Sequence, residues 1–322
     1  MFGESWEDFR IKFLNYYTLN FVLDSGKSFE NVLLEATAYG LKKKKSDKTE
    51  NTTISYLKSN RIKYLDSPNK FEIISPYNTL QIYSFESKEI YQKIISIRDN
   101  AVKFEYTLGL GIGKEYFSDK ETKYKLLKGI DIERFKIRTH RWLKNYDRLS
   151  KESIQQFLKQ KLIAQRIVAH IDKPYPHLKF ICCIDEEGIP ITNTLLSIGG
   201  SGIELKLLLA FFNSKLFAWF AYNFIYARAV RSMDFYEFYL NQTPFPKVNK
   251  KFVDLIIKAV NKILKSKSYD DTNHIDLMVY KLYQLNYDEV LVVDKEFAKH
   301  KSREEYDKLD YGFEYVQPDK TA

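Results

Sequence analysis

At 322 residues and 44% hydrophobic, the chain has room for two or three modest domains and is too apolar to be disordered. The net charge of +9 is concentrated, because Lys125 to His170 carries twelve Lys/Arg against four Asp/Glu, while the stretch from Lys301 is acidic. A basic block inside a folded region is the expected footprint of a polyanion-binding surface, set against the plainer reading of a chain simply rich in lysine.

Residues 5–17 read as a helix, with Ser5 as N-cap, Asp8 as its acidic partner and Trp6, Phe9, Phe13 and Leu14 as the apolar face. Leu19–Asp24 reads as a strand, followed by a turn at Gly26, apolar Phe29 and Val32, and a second strand at Glu35–Lys42. A polar loop over 42–51 leads to a third strand, Thr52–Leu57, paired with the second as a hairpin. Three strands and one helix cannot easily bury themselves, so this piece is expected to be the trailing edge of a larger α/β sheet. Residues 58–83, with turn signals at Ser67-Pro68-Asn69 and Ser75-Pro76-Tyr77-Asn78, read as a connector. A helix at Ser87–Asp99 and a strand at Val102–Leu108 follow.

Gly109, Gly111 and Gly113 alternate after that strand, but the Gly-x-Gly-x-x-Gly spacing of a nucleotide loop is not met, and a tight turn or bulge is the better reading. Ser153–Leu162 reads as helix, and Ile163–Ile171 and Lys179–Ile184 as strands, the last turning at Glu186-Glu187-Gly188. Cys182 and Cys183 are neighbours on a strand and point to opposite faces; they are too few for a four-ligand zinc site, and buried apolar cysteines in a reducing compartment are expected. The five histidines show no metal spacing.

The stretch Ile203–Lys247 holds an amphipathic helix to about Ala227, broken by Asn213-Ser214, with Leu207, Leu208, Phe211, Leu216, Phe217, Phe220 and Phe224 at helical spacing. A short basic crossing, Arg228 to Ser232, follows it and leads to an aromatic run closing on Pro244-Phe245-Pro246. Arg228 and Arg231 are placed either to meet an anionic partner or simply to be solvated. Helices at Phe252–Lys267 and His274–Leu285 and a short element at Tyr287–Val293 complete the chain, which is expected to loosen after Phe313. The charge-free run Leu216–Ala227 falls short of the ~20 residues that span a bilayer, and the acidic opening is unlike a signal peptide, so a cytoplasmic protein without membrane association is expected.

No Pro-Pro pair occurs, which excludes the Asn/Asp-Pro-Pro-aromatic tetrad of amino-methyltransferases; no Pro-Asp…Asp/Glu-x-Lys nuclease site and no Ser/His/Asp or Cys/His arrangement stands out either. On its residues alone the chain is expected to be a binder.

Five stretches in order resemble one family. Leu208 to Phe217 (LLAFFNSKLF) with Thr243-Pro-Phe-Pro246 is similar to the Leu-Leu-x-x-x-Asn-Ser-Lys-Leu helix and closing Leu-Pro-Ile-Pro of TaqI-like specificity domains. Gly111 to Phe117, Leu127 to Phe135 (LKGIDIERF), Ile163 to Ile167 (IAQRI) and Ile275 to Leu285 (IDLMVYKLYQL) resemble further motifs of that family, the first with shorter spacing. Residues 5–57, with Asp24 to Phe29, resemble the last part of the methylase core.

The resemblance implies a mixed α/β (α+β) chain. Its parts would be a core remnant at 1–58, a connector at 59–86, a target-recognition domain at 87–248, a helical segment at 249–316 and a loose tail at 317–322. It implies recognition of double-stranded DNA for an adenine methyltransferase or fused restriction enzyme, with the flipped adenine delivered to an active site outside this stretch. No catalytic, metal or cofactor residue is expected here. S-adenosylmethionine would belong to a methylase core missing from the chain, which is expected to be a C-terminal piece or the recognition half of a split enzyme, partnered by a methylase or nuclease core in cis or in trans. Lys125, Lys128, Arg134, Lys161 and Arg166 are expected to position phosphates, although Arg134 or Arg166 could instead pair with Asp131 or Glu133. Arg228 and Arg231, with Ser232 beside them, are candidates for guanine edges, and Gln165 and Asn193 for adenine edges. The rival readings are a protein–protein docking module with incidental DNA contact, and an enzyme with a cryptic site.

Overall fold

The computed structural model describes residues 7–27, 29, 35–43, 51–58, 61–66, 84–98, 101–200, 202–229, 232–268 and 272–316. Ser5, Trp6, Val32, most of the polar loop before Asn51, the turn signals at 67–69 and 75–78, Arg231 and the tail 317–322 lie outside the described residues. The chain forms two compact units: Met1–Ile95 with Phe220–Ser232, and Ser96–Trp219 with Met233–Ala322. Helices and several small sheets alternate, giving the expected α+β class.

In the smaller unit α1 (Glu7–Tyr16) carries Glu7 and Asp8 in its first turn, where carboxylates suit the exposed amides. Four strands follow, β1 (Thr18–Lys27), β2 (Glu35–Lys42), β3 (Thr53–Lys58) and β4 (Arg61–Asp66), in the spatial order β2-β1-β3-β4. The hairpins are β1–β2 and β3–β4, and β1 runs parallel to β3, so β2 and β3 are not the expected pair. β4 falls within the stretch expected as connector, with Ile62 and Tyr64 on it 65% and 61% exposed. Gly26 is not a terminal turn. It lies inside β1 at a register shift with φ of +55°, its amide bonded to the Asp24 carboxylate at 3.0 Å. α2 (Phe85–Ser96) opens on a reciprocal Ser84/Ser87 cap and buries Ile90, Tyr91 and Ile94, with Tyr91 stacked on Phe220 and tilted against Phe224. Ala221–Ile225 is a π turn rather than α-helix, ending in consecutive left-handed residues, Ala227 and Arg228.

The larger unit begins with β5 (Glu105–Leu108), β6 (Phe117–Ser118), β7 (Tyr124–Leu126), β8 (Ile132–Glu133), β9 (Lys136–Ile137), β10 (Arg141–Leu143) and α3 (Lys151–Gln155). It continues through β11 (Lys161–Gln165), β12 (Ile167–Ile171), β13 (His177–Lys179), β14 (Cys182–Asp185) and β15 (Leu195–Gly199). Then come α4 (Leu205–Phe212), α5 (Lys215–Phe220), β16 (Met233–Asp234), α6 (Glu237–Leu240), α7 (Lys250–Ser266), α8 (Asn273–Leu282), α9 (Tyr287–Val293) and α10 (Arg303–Asp307).

Its central sheet is antiparallel, in the order β14-β11-β15-β5. β11 is buried through Ala164 because it is the inner strand between β14 and β15. The helix expected to reach Leu162 therefore stops at Gln155. The strand expected over 163–171 breaks at Arg166, whose amide bonds Thr194 O and whose carbonyl accepts Phe235 N, and the chain passes into a second sheet, β13-β12-β16. The 179–184 strand divides likewise between β13 and β14. Both cysteines are free and buried, as expected, and burial raises both thiols.

The polar pair does break the long helix. Asn213 Nδ2 donates to Cys182 O and Leu209 O, each at 3.0 Å, while Ser214 Oγ accepts Phe217 N at 3.2 Å and so starts α5. Lys215 ties α5 to the C-terminal helices, its amide to Asp276 at 2.8 Å and its ammonium to Asp294 at 2.7 Å. Burial alone would lower the Lys215 pKa, but the two carboxylates outweigh it and the pKa is raised. The stretch expected to loosen after Phe313 pairs Val248 with Tyr315 and is described through Val316.

Candidate functional site

The site is a junction of loop tips at one end of the central sheet. Loop 190–195 is stitched to two neighbours: Leu110 N and Leu127 N donate to Ile191 O and Pro190 O at 2.7 and 3.0 Å, and Asn193 N and Thr192 N donate back to Leu110 O and Leu127 O at 2.8 and 2.9 Å. Such close approach explains the glycine that precedes Leu110, because a Cβ on Gly109 would lie 2.2 Å from Thr192 O. Beside it, Gly129–Asp131 forms a one-turn 3-10 helix pinned from three sides. Gly129 N donates to Thr194 Oγ1 at 2.9 Å, Gln165 Nε2 donates to Gly129 O at 2.6 Å, and Lys128 N donates to Asp131 Oδ2 at 2.8 Å.

The structure brings Lys128, Gln165, Arg166 and Asn193 together here, and it also shows which of them are committed. Gln165 spends its amide on Gly129, which makes it a brace for the turn. Arg166 Nε lies 3.2 Å from Asp234 Oδ1 without hydrogen-bond geometry. Lys128 Nζ rests 4.7 Å from the Phe117 ring centre and has no carboxylate partner among the described residues. The Asn193 side chain is partly buried and has no hydrogen-bond partner among the described residues. Ile130 is 65% exposed at the tip of the pinned turn.

Two expected phosphate contacts are corrected. Lys161 is 4% exposed, with its ammonium on the fully buried Asp185 carboxylate and donating to Phe157 O at 2.7 Å. Burial lowers the Lys161 pKa, opposed by Asp185. Antiparallel pairing of β11 with β14 sets Lys161 opposite Asp185, a contact 24 residues apart that local pattern cannot reveal. Arg134 is a brace, with Nη2 donating to Asn213 O at 2.5 Å. Lys125 is surface-placed but paired with Glu187 at 2.5 Å.

Arg228 and Ser232 belong to the smaller unit, where Arg228 Nη2 donates to Asp24 Oδ2 at 2.6 Å and Ser232 is exposed. Arg231 is outside the described residues.

The uncommitted cations of the basic block lie elsewhere. Lys144, Arg148, Lys151 and Lys159 are exposed and have no ion-pair partner among the described residues. The first three follow one another from the end of β10 to the start of α3, outside a small core of Leu126, Leu143 and Ile154. Charge counting included them, but only burial and pairing separate them from the committed lysines. Among the described residues no group of three or more His, Cys, Asp or Glu could hold a metal ion, and no helix is long and apolar enough to cross a membrane.

Residues 124–245 match the family model of TaqI-like C-terminal specificity domains, and the match contains the Gly129, Gln165 and Asn193 junction. No curated protein matches the chain. Among solved structures, the type IIL restriction-modification enzyme MmeI in complex with DNA aligns at 13% identity and a TM-score of 0.49, covering 91% of this chain and 46% of that one. The type IIG restriction endonuclease BpuSI aligns at 11% identity and a TM-score of 0.39, covering 88% of this chain and 46% of that one. The chain thus spans less than half the length of either.

Proposed function

We propose that this chain is the target-recognition part of a restriction-modification enzyme and that the junction of the larger unit reads a duplex DNA sequence. The observation that carries the reading is the coincidence of the specificity-domain match with the basic block and with loop tips held by backbone hydrogen bonds. Rigid loop tips suit base readout, because a polar group fixed before binding loses little freedom on docking. Lys128, Lys144, Arg148 and Lys151 are assigned to phosphates, which set affinity and register, and Asn193 to a base edge, which sets sequence. The expected phosphate roles of Lys125 and Arg166 now require each to exchange its carboxylate, Glu187 or Asp234, for DNA.

On this reading the smaller unit is the trailing part of an adenine methyltransferase core. Methyl transfer from S-adenosylmethionine, and any cleavage, is then performed by a methylase or nuclease part in cis or in trans. Arg228 and Arg231, with Ser232 beside them, remain the candidates for guanine edges, Arg228 after release from Asp24.

The test is fluorescence anisotropy of the purified chain on a labelled duplex pool across a salt series. Binding that weakens steeply with salt, by about 0.9 log units per log unit of salt for each phosphate neutralised, supports the reading. No binding even at low salt overturns it in favour of a protein-docking module.

A further inference from the structure

We infer that Ile130 and Asn193 act as a pair that reads a single A·T base pair in the major groove, Ile130 against the thymine methyl and Asn193 on the adenine edge. The inference rests on the DNA-recognition reading above and adds the base pair it selects. Its first support is the placement of Ile130. A side chain 65% exposed at the tip of a one-turn helix, between Lys128 and Asp131, contributes nothing to the core, yet its turn is pinned by Thr194, Gln165 and Asp131 at once. A mobile turn could fold an isoleucine away from water, whereas this one holds it out.

The second support is Asn193. Its backbone is fixed by the bond to Leu110 O at 2.8 Å, while its side-chain amide is unpaired among the described residues. A free carboxamide offers one donor and one acceptor side by side, the complement of adenine N7 and N6. The 2.9 Å bond from Gly129 N to Thr194 Oγ1 then joins the residue before Ile130 to the residue after Asn193, so the two side chains issue from adjoining loop tips. An exposed methyl-bearing side chain beside a free amide matches the two halves of one A·T pair: a thymine C5 methyl and the adenine acceptor–donor edge. Guanine–cytosine offers no methyl, and guanine presents two acceptors, N7 and O6, so the carboxamide oxygen would find no donor there.

The experiment uses the 322-residue chain and the duplex it enriches from a randomised pool. Each thymine of that duplex is replaced singly by uracil, and each adenine by 7-deazaadenine. We expect one thymine at which loss of the methyl weakens binding about fourfold, the worth of one buried methyl group. That sensitivity should vanish in Ile130→Ala. The adenine of the same base pair should show an N7 dependence on the order of tenfold that vanishes in Asn193→Ala. Ile130 is exposed and Asn193 makes no side-chain bond among the described residues, so both variants should keep wild-type circular dichroism. An enriched motif with no methyl-sensitive thymine, or with the two sensitivities on different base pairs, overturns the pair and leaves DNA recognition standing. Failure to enrich any motif overturns sequence reading by this chain, and the pair with it.

Discussion

Replacing Lys161 by alanine separates a structural lysine from a phosphate-binding one. Lys161 is 4% exposed, and its ammonium donates to Phe157 O at 2.7 Å and to the Asp185 carboxylate, which also accepts the amides of Glu187, Gly188 and Ile189 at 3.0, 3.1 and 2.6 Å. In Lys161→Ala the carboxylate keeps its three amide donors but loses its counter-charge, and the four-carbon stem leaves a void. Breaking a buried pair from one side costs about 3–5 kcal/mol, whereas an exposed pair is worth ~0–1. Against a typical total of ~5–15 kcal/mol the buried figure is a large loss. Urea unfolding should show it as a lower midpoint at unchanged slope. DNA affinity, measured where the variant remains folded, should keep the wild-type salt slope. The double variant Lys161→Met/Asp185→Asn should recover part of the loss, since no charge is then left alone. A loss below ~1 kcal/mol together with a shallower salt slope would refute the burial argument and return Lys161 to the DNA surface.

Four further outcomes are expected. Gly109→Ala, whose Cβ would lie 2.2 Å from Thr192 O, should destabilise the chain by about 1–3 kcal/mol in chemical denaturation, because the obstacle is backbone and cannot swing aside. The triple variant Lys144→Ala/Arg148→Ala/Lys151→Ala should flatten the salt slope by about 2.7, three phosphates' worth, and weaken all sequences alike; a changed sequence preference would contradict the phosphate role. Asp276 is pushed above its usual 3.8 by burial, against the opposing pull of the Lys215 amide and ammonium. Its contribution to stability is therefore full below 3.8 and lost as pH rises through the raised value, so the stability of wild type relative to Asp276→Asn should fall over that window, and a pH-independent difference would contradict the shift. A double-mutant cycle on Arg228→Ala and Asp24→Ala should give a coupling of about 1 kcal/mol, since the pair is mostly covered but open to solvent.

The legible parts of the fold were those written in local pattern. β2 alternates and was found at its observed bounds, and the long helix breaks at Asn213-Ser214 because both side chains bond the backbone. What stayed hidden depends on partners far along the chain. No periodicity announces that the 163–171 run changes sheets at Arg166, because Thr194 and Phe235 cause the change. The same holds at the site. Charge clustering and residue type picked out Lys128, Gln165, Arg166 and Asn193, which do converge, but they could not separate a side chain that faces outward from one spent inward. Lys161 and Arg134 look like surface cations in the sequence and are braces in the fold, and the exposure of Ile130 is set by a turn that no local pattern marks.

The most direct test of the central claim is selection from randomised duplexes, by the purified chain, at physiological salt. The account predicts one enriched motif that keeps its identity in the Lys144/Arg148/Lys151 variant at reduced affinity and loses definition at one position in Asn193→Ala. Enrichment of no motif by the wild-type chain, or a motif indifferent to Asn193, would contradict the claim that this junction reads the sequence.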